Sequence, residues 1–348
     1  MQTALAILIL SLVSQTPESY PTVGIIDFYG LRAVPEASVR HALDVREGDS
    51  VDVSHYYKWQ KAETIRIQSV PGVRSAYVAL VCCTDDHKSM LYVGVEEAAT
   101  PCAAFEPAPD GSARLTDDIV LASKKVDDAI EESVLSGNPG EDDSQGHALA
   151  TDSHARAAEL ALIPLAEEHL ANLRDVLHNS SDELQRARAA QVLGYVKDKQ
   201  SIVPDLIAAT RDSSSLVRNN AMRALVVFTK YEPQTPAQKI EVPSQPFLSL
   251  LNSCIWTDRN KSAWAVAEFT ESRDTALLAQ IREQALPSLI EMARWKDLGH
   301  ATTSLTILGR IGGLSDSEIS KDVESGNREV IIAAAKKAAK KASGGGPK

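Results

Sequence analysis

The densest group of side chains able to do chemistry lies in the turn Asn138-Pro139-Gly140-Glu141-Asp142-Asp143-Ser144-Gln145-Gly146-His147. Glu141, Asp142, Asp143 and His147 bring carboxylate oxygens and one imidazole together, the donor types that hold a divalent cation. One reading is therefore a metal-dependent enzyme with its site at residues 141–147. The spacing favours a plainer one. An EF-hand loop alternates its ligands and ends on a bidentate Glu further on, and no Glu stands there in this sequence. A solvated acidic turn that also caps the following helix needs neither metal nor cofactor. His41, His55, His87, His154, His169, His178 and His300 are scattered, with no matching ligands at a repeated spacing. No GxSxG, HExxH, GxGxxG or Walker loop occurs. No catalytic residue is nominated, and the expectation is a protein that is not an enzyme.

The cysteines offer a second chemistry. Cys82, Cys83 and Cys102 cluster, whereas Cys254 stands alone among Leu248, Leu250, Leu251 and Ile255 and reads as a small core residue of a helix. Cys82 shares strand parity with Val78 and Leu80, which leaves Cys83 on the opposite face. In an oxidising compartment Cys83 can reach Cys102, closing 102 − 83 = 19 residues for roughly 3 kcal/mol on a chain-entropy account. Three buried free thiols are the alternative.

Composition narrows the classes. With 348 residues, 44% hydrophobic and 24% charged, the chain suits two or three packed domains. A formal charge of −11 argues against non-specific nucleic-acid or anionic-membrane binding, which needs a basic surface. Lys336, Lys337, Lys340 and Lys341 read as the solvated last turns of a helix, where cations meet the negative pole, before a flexible tail at 343–348. The apolar run Ala4 to Val13, followed by Ser14-Gln15-Thr16-Pro17, resembles a secretory h-region with its polar exit and is too short to span a bilayer. The expectation is a signal peptide over 1–16 and a periplasmic or secreted mature chain without a membrane span. A buried first element in a cytosolic protein is the alternative.

These residues need elements to place them. Val23 to Tyr29 is a strand closed by Gly30, and Pro35 to Leu43 opens as helices do. The turn Asp44 to Asp49 leads to a helix around Trp59, Ala62, Ile65 and Val70, broken by Pro71-Gly72. Strands from Val73 to Cys83 and from Met90 to Glu97 flank a hairpin turn at Thr84-Asp85-Asp86. This β-α-α-β-β order, with Gly30, Leu43, Gly48, Pro71-Gly72-Val73 and Val95-Glu96-Glu97, resembles a POTRA domain over residues 22–97. The resemblance implies an extracytoplasmic α+β module that binds other polypeptides, often by adding a strand at its exposed sheet edge. A ferredoxin-like domain is the alternative. Pro101, Pro107, Pro109 and Asp110-Gly111 make 98–115 an irregular connector. A capping helix and the acidic loop fill 116–152, the helix running from Thr116 to Gly137 on Ile119, Ala122, Val126, Ala129 and Ile130.

Residues 153–342 repeat. In Asp182 to Gly194, Arg186 is followed by small residues at 189 and 190 and by Leu193; the pattern returns with Arg218, Ala221 and Leu225, and with Arg259, Ser262, Ala263 and Val266. Leu298 to Gly309 is a fourth copy with Ala301 in place of Arg. The anchors Leu193, Leu225, Val266 and Leu308 lie 32, 41 and 42 residues apart, a period of stacked helical pairs. Pro204, Pro246 and Pro287 fall in the expected first turns of the preceding helices. The pattern resembles the HEAT family from about Leu165 onward. That implies an all-α solenoid after the α+β domain, and a non-enzymatic scaffold that binds protein partners through its second helices. Arg186, Arg218 and Arg259 form either a partner-binding ladder or a structural one, paired with the nearby Asp182, Asp212 and Asp258. The rival functions are the metal-dependent enzyme above and a cytosolic HEAT adaptor.

Overall fold

The computed structural model describes residues 21–84, 86–138, 140–231 and 239–343. The signal peptide assigned to 1–16 lies outside them, as does the tail assigned to 343–348 apart from Ser343.

Strand β1 (Val23–Tyr29) is rich in β-branched and aromatic residues. It is followed by helices α1 (Glu36–Ala42) and α2 (Tyr56–Gln68) and by strands β2 (Val73–Val81) and β3 (Ser89–Glu97). The sheet order is β1-β3-β2, with β3 parallel to β1 and antiparallel to β2. One sheet face meets α1 and α2 around Ile26, Val39, Leu43, Ile67, Val78, Leu91, Val93 and Val95.

The opposite face of β3 is also covered. Tyr92 lies 5.2 Å from the Trp256 ring and 5.0 Å from Trp295, and its hydroxyl sits 2.7 Å from Nδ1 of His300. Tyr29 donates its hydroxyl to the carbonyl of Cys254 at 3.0 Å. Gly94, at the middle of β3, faces the same carbonyl: a Cβ there would lie 1.9 Å from the Cys254 oxygen. The alanine methyl has nowhere to go, so Gly94→Ala is expected to destabilise by about 2 kcal/mol as an overpacking change. Its urea midpoint should fall at unchanged slope, and an unaltered midpoint would contradict this packing.

The compact units therefore do not follow the linear division expected from the sequence. One unit comprises residues 104–246, and the other joins the described residues up to 103 to those from 247 onward. The strand module expected to end at 97 shares its core with the last helices, because both faces of β3 are apolar and each needs a cover.

The unit of residues 104–246 begins with α3 (Asp117–Leu135), then a two-strand ribbon of β4 (Glu141–Asp142) and β5 (Leu149–Ala150). Helices α4 (Ser153–Leu160) and α5 (Leu162–Glu168) lead to the pairs α6 (Leu170–Asn179) with α7 (Glu183–Leu193) and α8 (Lys199–Ala209) with α9 (Ser215–Lys230). Asp182 caps α7 by accepting from the Leu184 and Gln185 amides. Buried Leu173, Ala189, Ala190, Leu193, Leu206, Ala221 and Leu225 fill the pairs, small residues alternating with large ones.

The boundary falls within α10 (Gln245–Leu250), and the second unit adds α11 (Trp256–Phe269), α12 (Thr275–Ala293), α13 (Leu298–Ile311), α14 (Asp316–Glu324) and α15 (Arg328–Ser343). Pro246 falls in a first turn as expected. Pro204 and Pro287 instead lie inside α8 and α12. Those helices start earlier because Asp198 and Asp274 cap them upstream of each proline.

Candidate functional site

Strand β4 sets the acidic turn against α4 and α9, and each of its carboxylates meets its own cation. Glu141 pairs with Arg223 at 3.2 Å, Asp142 with Arg156 at 3.1 Å and Asp143 with Lys230 at 3.2 Å. His147 is buried, stacked on Tyr195 with ring centroids 5.7 Å apart, its Nδ1 3.3 Å from the Gly194 carbonyl. The four donors thus diverge into separate partnerships. Among the described residues, no three His, Cys, Asp or Glu side chains gather as a metal site would require. The turn is an ion-paired clasp rather than the solvated turn expected, and capping of α4 falls to Asp152, which accepts from the His154 and Ala155 amides.

Under the clasp lies Glu159, fully buried, which accepts from the Ala150 amide and stands 3.7 Å from the Arg223 guanidinium. Burial pushes its carboxyl from 4.5 up to about 7, against the pull of Arg223. Burial, with Lys199 nearby, pushes His147 from 6.5 down to about 4. Between pH 4.5 and 7 the folded chain keeps a Glu159 proton that the unfolded chain has released, so this term lowers stability as pH rises. Between pH 4 and 6.5 the unfolded chain holds a His147 proton that the fold excludes, so this term raises stability as pH rises. Each is worth at most about 3 kcal/mol, and the two oppose each other over overlapping windows. Denaturant titrations should separate them. Glu159→Gln should gain on the parent from pH 4.5 to 7, and His147→Gln should lose ground from pH 4 to 6.5. Curves that stay parallel to the parent's would contradict this assignment.

The recurring arginines follow one geometry. Each donates to the carbonyl six residues earlier: Arg186 to Ser180 at 2.9 Å, Arg218 to Asp212 at 2.6 Å and Arg259 to Ser253. A long side chain at the start of a second helix reaches back over its own turn. Arg186 then forks onto Asp212 of the next pair, at 2.8 and 2.9 Å, and Arg259 meets Glu291 at 2.7 Å. The acceptors are thus not all the neighbours expected: Asp182 caps α7, and Asp258 takes the Ser253 hydroxyl at 2.7 Å. At 0–1% exposure the three guanidinium groups are covered, that of Arg218 in part by Phe105 of the connector.

The cysteines also pair differently. Cys82 is bonded to Cys83, and Cys102 to Cys254. Strand β2 ends at Val81, so strand parity does not extend to Cys82 and Cys83. Cys254 lies between α10 and α11, where the Tyr29 hydroxyl holds its carbonyl against the sheet, and its Cα is 5.7 Å from that of Cys102.

Residues 105–115, read only as irregular, run along the turns of both helical pairs. The Phe105 ring lies under the Arg218 guanidinium at 3.5 Å. The Glu106 amide donates to the Arg211 carbonyl at 2.8 Å, and its carboxylate meets the Arg211 side chain at 2.6 Å. Further along, the Gly111 carbonyl accepts from Ser181 at 2.8 Å and Ser112 bridges Ser180. The Leu115 amide donates to Gln185 at 2.8 Å. The segment passes from the α8–α9 turn to the α6–α7 turn, opposite to the order of the helices. An adjacent Pro-rich sequence whose amides lack helical partners is the signal that could have marked it.

Residues 170–240 match HEAT repeats. Among solved structures, the chain is similar to computationally designed armadillo repeat proteins for modular peptide recognition, at 17% identity and TM-score 0.35 over 55% of this chain and 94% of that one. It is also similar to a designed armadillo repeat protein in complex with peptide (KR)4, at 15% identity and TM-score 0.35 over 54% and 94%. No curated protein matches. The family match falls on α6 to α9, the helices that carry Arg186, Arg218 and the connector. The strand-bearing region of residues 23–97 thus precedes the helical repeats matched at 170–240.

Proposed function

We propose that this protein is a non-enzymatic scaffold that binds other polypeptides through its helical repeats, in the periplasm or another extracytoplasmic space. The observation that carries the reading is that the paired helices α6 to α9 already hold an extended polypeptide, their own residues 105–115, through backbone groups at successive turns. A helical repeat fold is compatible with that role. The Cys102–Cys254 and Cys82–Cys83 bonds support an oxidising compartment.

The strand module is on this reading POTRA-like, supported by its element order and its β1-β3-β2 sheet. Its β2 edge is a weaker binding place than the repeats. The outward Val78 carbonyl accepts from Gln60 at 2.5 Å and the Leu80 amide donates to the Tyr56 hydroxyl at 3.3 Å, so an added strand must first displace α2 side chains.

Selection of a random peptide display library on the immobilised oxidised chain tests the reading. Convergent enrichment of one extended motif is expected. Repeated rounds that enrich nothing over an unrelated protein would sink it.

A further inference from the structure

We propose that the path followed by residues 105–115 is a polypeptide-binding groove selective for an aromatic-acidic pair followed by prolines and a glycine, and that the chain's own connector fills it in cis. The inference rests on the scaffold reading above and names the ligand chemistry of that groove.

Three features set the specificity. First, the aromatic position is defined by Arg218, whose guanidinium is fixed by the Asp212 and Ser213 carbonyls at 2.6 and 3.0 Å and lies 3.5 Å over the Phe105 ring. A fully buried cation pinned in this way is a preformed cation–π platform. Second, the next residue meets Arg211 through both its backbone and its carboxylate, so an acidic side chain fits there and a basic one is repelled. Third, a Cβ on Gly111 would come 2.0 Å from the Asn179 carbonyl oxygen, so the chain can cross the α6–α7 turn only at a glycine. Pro107 and Pro109 between these points hold the backbone extended before binding and reduce the entropy lost on docking. The readable motif is Phe-Glu, then four residues containing prolines, then Gly.

The cis occupant is held by contacts that another chain can replace. The Glu106–Arg211 pair is more than half exposed on both sides, where such pairs contribute little. Phe105 is only half-buried. The advantage of the connector is its tether, which supplies an effective concentration on the order of millimolar. Weakening the connector should therefore open the groove to the same sequence supplied in trans.

The test is a fluorescence-anisotropy titration of a labelled synthetic peptide with the sequence of residues 104–115 into the full oxidised chain. The parent is compared with the double variant Phe105→Ala/Glu106→Ala. Saturable binding to the variant, at least tenfold tighter than to the parent, is expected. A peptide whose phenylalanine is replaced by alanine, or whose glycine is replaced by valine, should bind the variant at least tenfold more weakly. A folded variant that binds no peptide, or that binds all three alike, overturns the proposal. If circular dichroism finds the double variant unfolded, Phe105→Ala alone is titrated against the same criteria. Failure of the library selection counts against the scaffold reading, whereas failure of this titration counts against this groove alone.

Discussion

Replacing Cys254 by alanine is expected to be the most damaging single change, lowering stability by about 5 kcal/mol on a chain-entropy account of a cross-link spanning 152 residues. The bond ties the end of the strand module to the loop before α11, two segments of one core that the chain order places far apart. Cys102→Ala should cost the same, and the double replacement no more than either single one. Joint replacement of Cys82 and Cys83, which closes no loop beyond adjacent residues, should cost far less. Urea unfolding without reductant measures all four. Equal stability of Cys254→Ala and the parent, or peptide mapping that joins Cys102 to Cys83, would contradict the pairing.

Arg186→Met is expected to cost about 3–5 kcal/mol, because it strips one partner from a buried pair, leaving the Asp212 carboxylate without its cation and the Ser180 carbonyl without the guanidinium donor. Arg186→Lys should recover only part of this, since an ammonium cannot fork onto both Asp212 oxygens. Arg211→Ala, at an exposed pair, should stay within about 1 kcal/mol of the parent. Thermal unfolding of the three variants ranks them. An Arg186→Met protein as stable as the parent would show that the arginine does not hold the two helical pairs together.

Strands β1 to β3 and the second helices of the repeats were legible because each carries a local period: 2 in Val78 and Leu80, and 3.6 in Arg186, Ala189, Ala190 and Leu193; the ribbon of β4 and β5 fell in the segment read as a loop. The recurring arginines were legible as a pattern, and pairing with acidic side chains was open as one of two roles. Their acceptors were not all legible, since Arg186 reaches a carboxylate 26 residues away across a turn whose geometry no spacing encodes. The shared core of sheet and last helices left one trace. Met90, Leu91, Tyr92, Val93 and Val95 are apolar at both parities, the mark of a strand covered twice, yet nothing local says that Trp256 and Trp295 do the covering. Cys254 was misread for the same reason: an apolar neighbourhood suits a core thiol and a buried cystine equally. The connector was hidden because its order comes from hydrogen bonds to distant turns and not from any period of its own.

Binding of polypeptide by the helical repeats of residues 170–230 can be read by site-specific photo-crosslinking in the cells that make the protein. A photoreactive phenylalanine is placed at Ser215, half-buried at the start of α9 and three residues before Arg218, and in a control at exposed Lys341 on α15. A discrete polypeptide adduct is expected from position 215, strengthened when Phe105 and Glu106 are replaced by alanine and absent from position 341. Equal adducts from both positions, or none from position 215 in either background, would contradict it.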